Sequence, residues 1–308
     1  MLRWLGVDEE VRVIDLKGRV AVVTGAGGGL GRTYALLLAQ RGARVVVNDL
    51  GSGAEAVARE IVEAGGQARA ALCSVSDAAA VQNMVQDTLK AWGRVDILIN
   101  NAGILRDKSF VKMSLDDFRL VIEVHLMGTV NCTKAVWETM REQKYGRIVV
   151  TTSSSGLYGN FGQSNYSAAK MGLVGLMQTL AIEGAKYGIC VNAIAPTAAT
   201  QMTQGVLPEE QLKLLRPEFV APAILPLVAE SAPTRTILCA GAGGFEAANI
   251  TLTKGIYVAG NPPSPEELAT RWADVVDRQD ETVPAYGFAQ SELELKKAGY
   301  IPPEKKGA

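Results

Sequence analysis

The sequence predicts an α/β fold, a doubly wound parallel sheet of about seven strands followed by a C-terminal extension. Short β-branched runs alternate with longer Ala- and Leu-rich segments of helical period. Those runs are apolar almost throughout, as strands covered on both faces are. A glycine-rich string joins the first run to the first helical segment, where a βα turn is needed. Strands are expected at Val20–Gly25, Arg44–Asp49, Ala68–Val75 (the weakest), Asp96–Asn101, Arg147–Thr152, Ile189–Ile194 and Arg235–Ala240. Crossover helices are expected at Arg32–Arg41, Gly53–Ala64 and Asp77–Trp92. Three parts follow: an N-terminal extension over residues 1–15, a main domain over 16–244, and an extension over 245–308.

Composition narrows the function classes. Lys+Arg 31 against Asp+Glu 32 leaves a net charge of -1, so bulk charge offers no reason to expect a nucleic-acid or membrane partner. Cys73, Cys132, Cys190 and Cys239 stand singly among apolar residues and read as core residues of a protein in a reducing, cytoplasmic setting. The start, with charges inside its short apolar stretch, does not read as a secretory signal. A single histidine, His125, and no cluster at ligand spacing leave metal chemistry and His-based triads without parts, so no metal site is expected.

Thr24-Gly25-Ala26-Gly27-Gly28-Gly29-Leu30-Gly31 lies between strand and helix. Without side chains such a loop turns tightly and lets backbone N–H groups approach a pyrophosphate at the positive end of a helix. Gly25, Gly29, Leu30 and Gly31 are therefore expected to bind a dinucleotide. Asp49, at the end of the second strand and about 20 residues past the loop, suits the ribose hydroxyls and repels a 2′-phosphate. That favours NAD over NADP; a strand-end carboxylate serving only a turn is the plain alternative.

Tyr166 and Lys170 are four apart on one helical face, where phenol and ammonium share a site. A tyrosine with a pKa near about 10 is a poor base at neutrality unless a neighbouring cation favours its phenolate. Ser153, just past the fifth strand, is placed to hold a substrate oxygen.

Taken together and in this order, TGAGGGLG, NNAG (100–103), the strand ending in a serine cluster, and YSAAK resemble the short-chain dehydrogenase/reductase family over about Leu16–Gly244. The resemblance implies a Rossmann-type sheet, a nicotinamide cofactor, catalytic roles for Ser153, Tyr166 and Lys170, cofactor contacts from Tyr166 and Lys170, and a cofactor contact from Asn101. VVVNDLG, NNAGILRDKSF, VHLMGT and KYGRIVVTTSSSGLYGNFGQSNYSAAKMG are similar to a narrower branch, the dehydrogenase domain of the peroxisomal multifunctional β-oxidation enzymes, 17β-hydroxysteroid dehydrogenase type 4-like. This implies oxidation of a 3-hydroxyacyl-CoA, fatty or steroid-derived. A hydroxysteroid or small-carbonyl dehydrogenase, and a catalytically inactive NAD-binding sensor or scaffold, stay open as alternatives.

Three positions depart from the family pattern. His125 stands where many members have a relay Asn, and reads as a modified proton relay or a packing histidine. Ser74-Val75 replace the Asp-Val that meets adenine, and Pro196-Thr197 replace a Pro-Gly. Residues 200–230 occupy the place of a substrate lid, with Met202, Val206, Leu207 and Leu212 as candidate walls for an acyl or steroid body. In the extension, ANITLTKGIYVAG reads as hairpin-like and PEELATRWADVVD as one capped helix whose Trp272, Val275 and Val276 form a docking stripe. Family resemblance favours a homodimer or homotetramer built through the helices that carry Tyr166 and Gly128.

Overall fold

The computed structural model describes residues 13–199 and 208–301. The chain divides into two compact units, residues 1–247 and 248–308.

The first unit is an eight-stranded sheet in the order β3-β2-β1-β4-β5-β6-β7-β8. Its strands are β1 (Val20–Thr24), β2 (Arg44–Asp49), β3 (Gln67–Leu72), β4 (Ile97–Asn100), β5 (Gly146–Thr151), β6 (Ile189–Thr197), β7 (Ile237–Gly241) and β8 (Gly244–Ala248). Every pairing from β3 across to β7 is parallel. β1, β4 and β5 bury every residue, which is why their sequences are unbroken apolar runs rather than alternating ones.

The helices are α1 (Gly29–Gln40), α2 (Gly53–Glu63), α3 (Ala78–Trp92), α4 (Leu115–Ile122), α5 (Gly128–Gln143), α6 (Ser154–Tyr158), α7 (Ser164–Gly184), α8 (Glu209–Leu214) and α9 (Ile224–Val228). One face of the sheet, carrying Ala21, Val23, Val45, Val47, Ile97, Ile99 and Val149, shares a core with Tyr34 and Leu38 of α1, Val57 and Ile61 of α2, and Ile224 and Val228 of α9. α5 and α7 pack against β4, β5 and β6, and α3 packs on α5. The strand order turns back between β1 and β4, so the C-terminal ends of these strands border the crevice where such sheets hold ligands.

Two expectations change here. β3 stops at Leu72 and leaves Cys73–Val75 as a loop; the strand lies at the sheet edge and buries none of its residues fully. An eighth strand is also present. Ala242 and Gly243 take φ of 50° and 81°, the left-handed pair that a two-residue hairpin requires, and β8 returns beside β7. The hairpin therefore lies one element earlier than the segment that reads as one.

In the second unit, residues 248–260 form no hairpin of their own. Leu252 instead exchanges backbone hydrogen bonds of 2.8 and 2.9 Å with Thr282. The expected single helix breaks at Arg271 (φ −100°, ψ 21°) into α10 (Pro265–Thr270) and α11 (Trp272–Val276). Ser264 caps the first of these by accepting from the Glu267 N–H at 3.1 Å. Trp272 and Val276 are exposed and Val275 is half-buried. A further helix, α12 (Phe288–Lys297), closes the described part of the unit.

Candidate active site

The glycine loop is tied down from behind. Thr24 Oγ1 accepts from the backbone N–H of Asn101 (3.0 Å) and of Ala102 (3.1 Å). The Asn101 side-chain amide donates to the carbonyls of Thr24 and Gly25, both at 3.0 Å. Both amide protons of Asn101 are thus engaged by the loop, which the residue braces from behind. Thr24 carries as much of the tie as Asn101, although nothing in its sequence position marks it out beyond standing before Gly25.

Close approach explains the glycines. A Cβ on Gly31 would lie 2.2 Å from the Gly25 carbonyl oxygen and 2.8 Å from Ala26 Cα, and a Cβ on Gly25 would lie 2.7 Å from Ala102 Cα. Gly25 and Gly29 also take φ of 61° and 52°. α1 begins at Gly29, three residues earlier than expected, with extended Gly28 before it and no side chain capping its first turn. The space before the helix is open, since a Cβ added at Gly28 would meet nothing within 4 Å, and the first N–H groups of the helix have no intrahelical partner. Leu30 contributes backbone to this turn while its side chain packs on the core.

Asp49 ends β2 next to the loop. Its Oδ2 accepts from Gly27 N–H at 2.9 Å and its Oδ1 from Leu50 N–H at 2.7 Å, so the carboxylate is oriented and sits directly beside the loop. Ser74 and Val75 follow β3. The Ser74 hydroxyl accepts from Ser76 N–H at 3.2 Å, and buried Val75 lies where a Cβ on Gly128 would come within 2.6 Å of it. The arrangement of donors, the uncapped helix start and the oriented carboxylate fit a dinucleotide: loop N–H groups for its phosphates, Asp49 for its ribose, and the Ser74-Val75 segment for its base.

Ser153, Tyr166 and Lys170 come together at the ends of β5 and α7. Ser153, buried, caps α6, accepting from Ser155 N–H at 3.2 Å. The segment that carries Ser153 is tied to α7, with Thr152 Oγ1 donating to the Lys170 carbonyl at 2.8 Å. Lys170 Nζ lies 5.4 Å from the Tyr166 ring centroid and donates to the Thr151 carbonyl at 2.5 Å. Burial pushes the Tyr166 phenol above its ordinary range, the Ser153 hydrogen bond pulls it down, and the Asp107 carboxylate adds to the rise. Burial also lowers Lys170 to about 7. Burial thus draws both groups toward their neutral forms and brings their proton affinities closer together.

His125 lies in one turn of π-helix (Glu123–Met127) between α4 and α5. It is buried, its ring edge-on to Tyr166 with centroids 5.2 Å apart. Its Nε2 stands 3.0 Å from the Ile104 N–H and 2.8 Å from the Ile104 carbonyl, and its Nδ1 has no partner. Gly103 is the reason the ring fits, since a Cβ there would fall 2.2 Å from His125 Cε1. Burial first, and then the Lys170 charge, lower His125 to about 3, against the opposing Ile104 hydrogen bond. The imidazole stays neutral at working pH.

A stability prediction follows from that shift. The folded value lies below the ordinary 6.5, so His125 withholds a proton that the unfolded chain takes up, and stability is lost as pH falls from 6.5 toward 3. Urea unfolding at pH 7.5 and pH 4.5 should show this loss reduced by roughly 2 kcal/mol in His125→Gln. An unchanged pH slope would contradict it.

The loop after β4 is laced to the start of α7. Lys108 N–H donates to the Gly162 carbonyl at 2.9 Å, Gln163 donates to Asp107 Oδ2 at 2.6 Å, and fully buried Asn165 donates from Nδ2 to the Arg106 carbonyl at 3.1 Å. Asn165 Oδ1 also accepts the Tyr166 N–H at 2.7 Å. Sequence reading missed Asn165, whose only signal is its place just before the tyrosine. Asn165→Leu should lower kcat about tenfold with little change in cofactor binding, since it loosens the phenol's setting and leaves the glycine loop alone. Steady-state kinetics and an NADH titration check both halves.

Of the candidate lid residues, Met202, Val206 and Leu207 lie outside the described residues; Leu212 is half-buried on α8. Pro196 and Thr197 extend β6, paired with Ala240 and Gly241 of β7.

Comparison with known proteins decides the family. The short chain dehydrogenase profile matches residues 19–211, well over half of the chain. The chain belongs to the short-chain dehydrogenase family. It is an oxidoreductase of the kind that acts on CH–OH groups with a nicotinamide cofactor. It is 45% identical over 312 residues to the peroxisomal hydratase-dehydrogenase-epimerase of Saccharomyces cerevisiae, covering 96% of this chain and 34% of that one. It thus spans about a third of that relative. A Mycobacterium tuberculosis protein named as a short-chain type dehydrogenase/reductase is 48% identical over 273 residues, covering 85% of this chain and 95% of its own. Among solved structures, full-length peroxisomal multifunctional enzyme type 2 of Drosophila melanogaster matches with TM-score 0.79 and 41% identity over 92% of this chain and 50% of that chain. A 7α-hydroxysteroid dehydrogenase complexed with NADH and 7-oxo glycochenodeoxycholic acid matches with TM-score 0.70 and 31% identity over 75% of this chain and 96% of its own. Among the described residues no helix is long and apolar enough to cross a membrane, and no group of three His, Cys, Asp or Glu side chains is placed to hold a metal ion.

Proposed function

We propose that this dehydrogenase oxidises a 3-hydroxyacyl-CoA, fatty or steroid-derived, to the 3-ketoacyl-CoA with NAD. The single observation that carries the catalytic reading is the meeting of Tyr166 and Lys170 of α7 with the end of β5 that bears Ser153: Lys170 Nζ lies over the Tyr166 ring, 5.4 Å from its centroid, and donates to the Thr151 carbonyl two residues before Ser153. Bound NAD supplies the hydride acceptor. Ser153 orients the carbinol oxygen; Tyr166, once its own proton has passed to the neutral Lys170 amine, takes the carbinol proton at the phenolate oxygen, and Lys170 stays anchored on the Thr151 carbonyl. His125, neutral, holds the backbone of Ile104 beside the phenol. Asp49 favours NAD because a 2′-phosphate would meet its oriented carboxylate.

Similarity to the multifunctional enzymes along nearly the whole chain supports the thioester substrate. The hydroxysteroid reading rests on the structural match to the 7α-hydroxysteroid dehydrogenase. The intact Tyr166 and Lys170 weigh against an inactive sensor. The chain acts as a homodimer or homotetramer through α5 and α7, where Met171 and Ile182 are exposed. A cytoplasmic setting suits its four free cysteines. Incubation with NAD or NADP and a panel of (3R)- and (3S)-hydroxyacyl-CoA thioesters and hydroxysteroids, followed by absorbance of the reduced cofactor, tests the reading. Turnover of thioesters with NAD is expected; turnover of steroids alone would transfer the assignment to the second reading, and none with any alcohol would refute both.

A further inference from the structure

Arg32 is the cation of the first turn of α1, the turn that opens onto the glycine loop. Its backbone N–H reaches the Gly28 carbonyl at 3.1 Å, yet its guanidinium is turned to α2. Nε donates to Glu60 Oε2 at 3.0 Å and Nη2 to Glu60 Oε1 at 2.5 Å, a two-pronged ion pair. The start of α2 abuts the loop, since a Cβ on Gly53 would fall 2.6 Å from the Gly27 carbonyl oxygen. Glu60 stands seven residues further along that helix, roughly 10 Å at the rise of an α-helix. The pair thus holds the guanidinium on α2, seven residues past the helix start that abuts the loop.

We propose that Glu60 is a second cofactor-specificity residue: by holding Arg32 in this ion pair it withholds from the ribose pocket the guanidinium that would otherwise receive a 2′-phosphate. Discrimination against NADP then has two parts. Asp49 acts directly through its carboxylate, and Glu60 acts through Arg32. Both partners are partly exposed, with side-chain exposures of 39% and 43%, so the pair itself adds little to stability and its removal leaves the fold intact. Its geometry, fixed at both guanidinium nitrogens, is what matters. Glu60 is a positioning residue in this scheme because it acts through Arg32.

This inference rests on the NAD reading, and cofactor titration separates the two without any substrate. NADH and NADPH binding are measured by nucleotide fluorescence for the parent, Asp49→Ser, Asp49→Ser/Glu60→Gln, and the triple variant that adds Arg32→Gln. Tighter NADH than NADPH binding by the parent supports the NAD reading; equal binding would overturn it. In the Asp49→Ser background, Glu60→Gln should raise the preference for NADPH, taken as the ratio of the two Kd values, about tenfold, the scale of one charge-assisted hydrogen bond. Arg32→Gln should then erase that gain. An unchanged ratio in the double variant overturns the proposal. So does a gain that persists without Arg32, since it would come from the lost negative charge alone.

Discussion

Tyr166→Phe should reduce kcat for alcohol oxidation by about 10²–10⁴-fold, the span of a positioned acid–base group, while NADH still binds. The substitution removes one oxygen and leaves the ring, its edge-on contact with His125 and the helix that carries it. On the proposed reading the glycine loop and Asp49 carry most of the cofactor's affinity, and the phenol holds neither of them in place. A variant that kept its turnover would take the tyrosine out of the mechanism. Because burial and Asp107 raise the phenol above its ordinary range, the acceptor form grows as pH rises. Oxidation of the alcohol should therefore quicken with pH in the parent, and reduction of the ketone should slow; a stopped assay in each direction reads both.

Gly31→Ala should be as damaging by another route. Its Cβ would lie 2.2 Å from one backbone oxygen, 2.7 Å from Asn101 Nδ2 and 2.8 Å from a backbone carbon, so no side-chain rotation relieves the contact and the loop itself has to move. Overpacking of this kind costs about 1–3 kcal/mol. The displaced backbone also carries the loop N–H groups proposed to bind the phosphates, so NADH affinity should fall by at least about tenfold together with Tm. Gly28→Ala makes the contrast, since its Cβ would meet nothing within 4 Å. Thermal melting should leave that variant near the parent, and equal losses in the two would show that crowding is not the cause.

The sheet was legible because its central strands are buried on both faces and so are written as unbroken apolar runs. β1, β4 and β5 are of this kind. β3 and β8 were not, one misjudged at its end and the other absent from the expected set. An edge strand has no such pattern, and β8 depends on a left-handed turn at Ala242, a residue whose type gives no sign of it. The second unit shows the same limit: the partner of Leu252 is Thr282, and a pairing across thirty residues leaves no local mark. Within the candidate site, Ser153, Tyr166 and Lys170 could be named from order and spacing, since a helix puts residues four apart on one face. Asn165, Gln163 and Thr24 could not, because each works on a partner far along the chain, a backbone group for Asn165 and Thr24 and the Asp107 carboxylate for Gln163.

The order of strands and helices, the glycine loop beside Asp49, and the pairing of Tyr166 with Lys170 were determined by sequence alone. These rest on local rules: periodicity, turn chemistry and helical spacing. Only the tertiary structure decided that Asn101 braces the loop, that Arg32 belongs to Glu60, and that His125 stays neutral with Lys170 lowered to about 7. Those outcomes depend on which distant groups meet and how much water is driven from between them, and neither is set until the chain has packed.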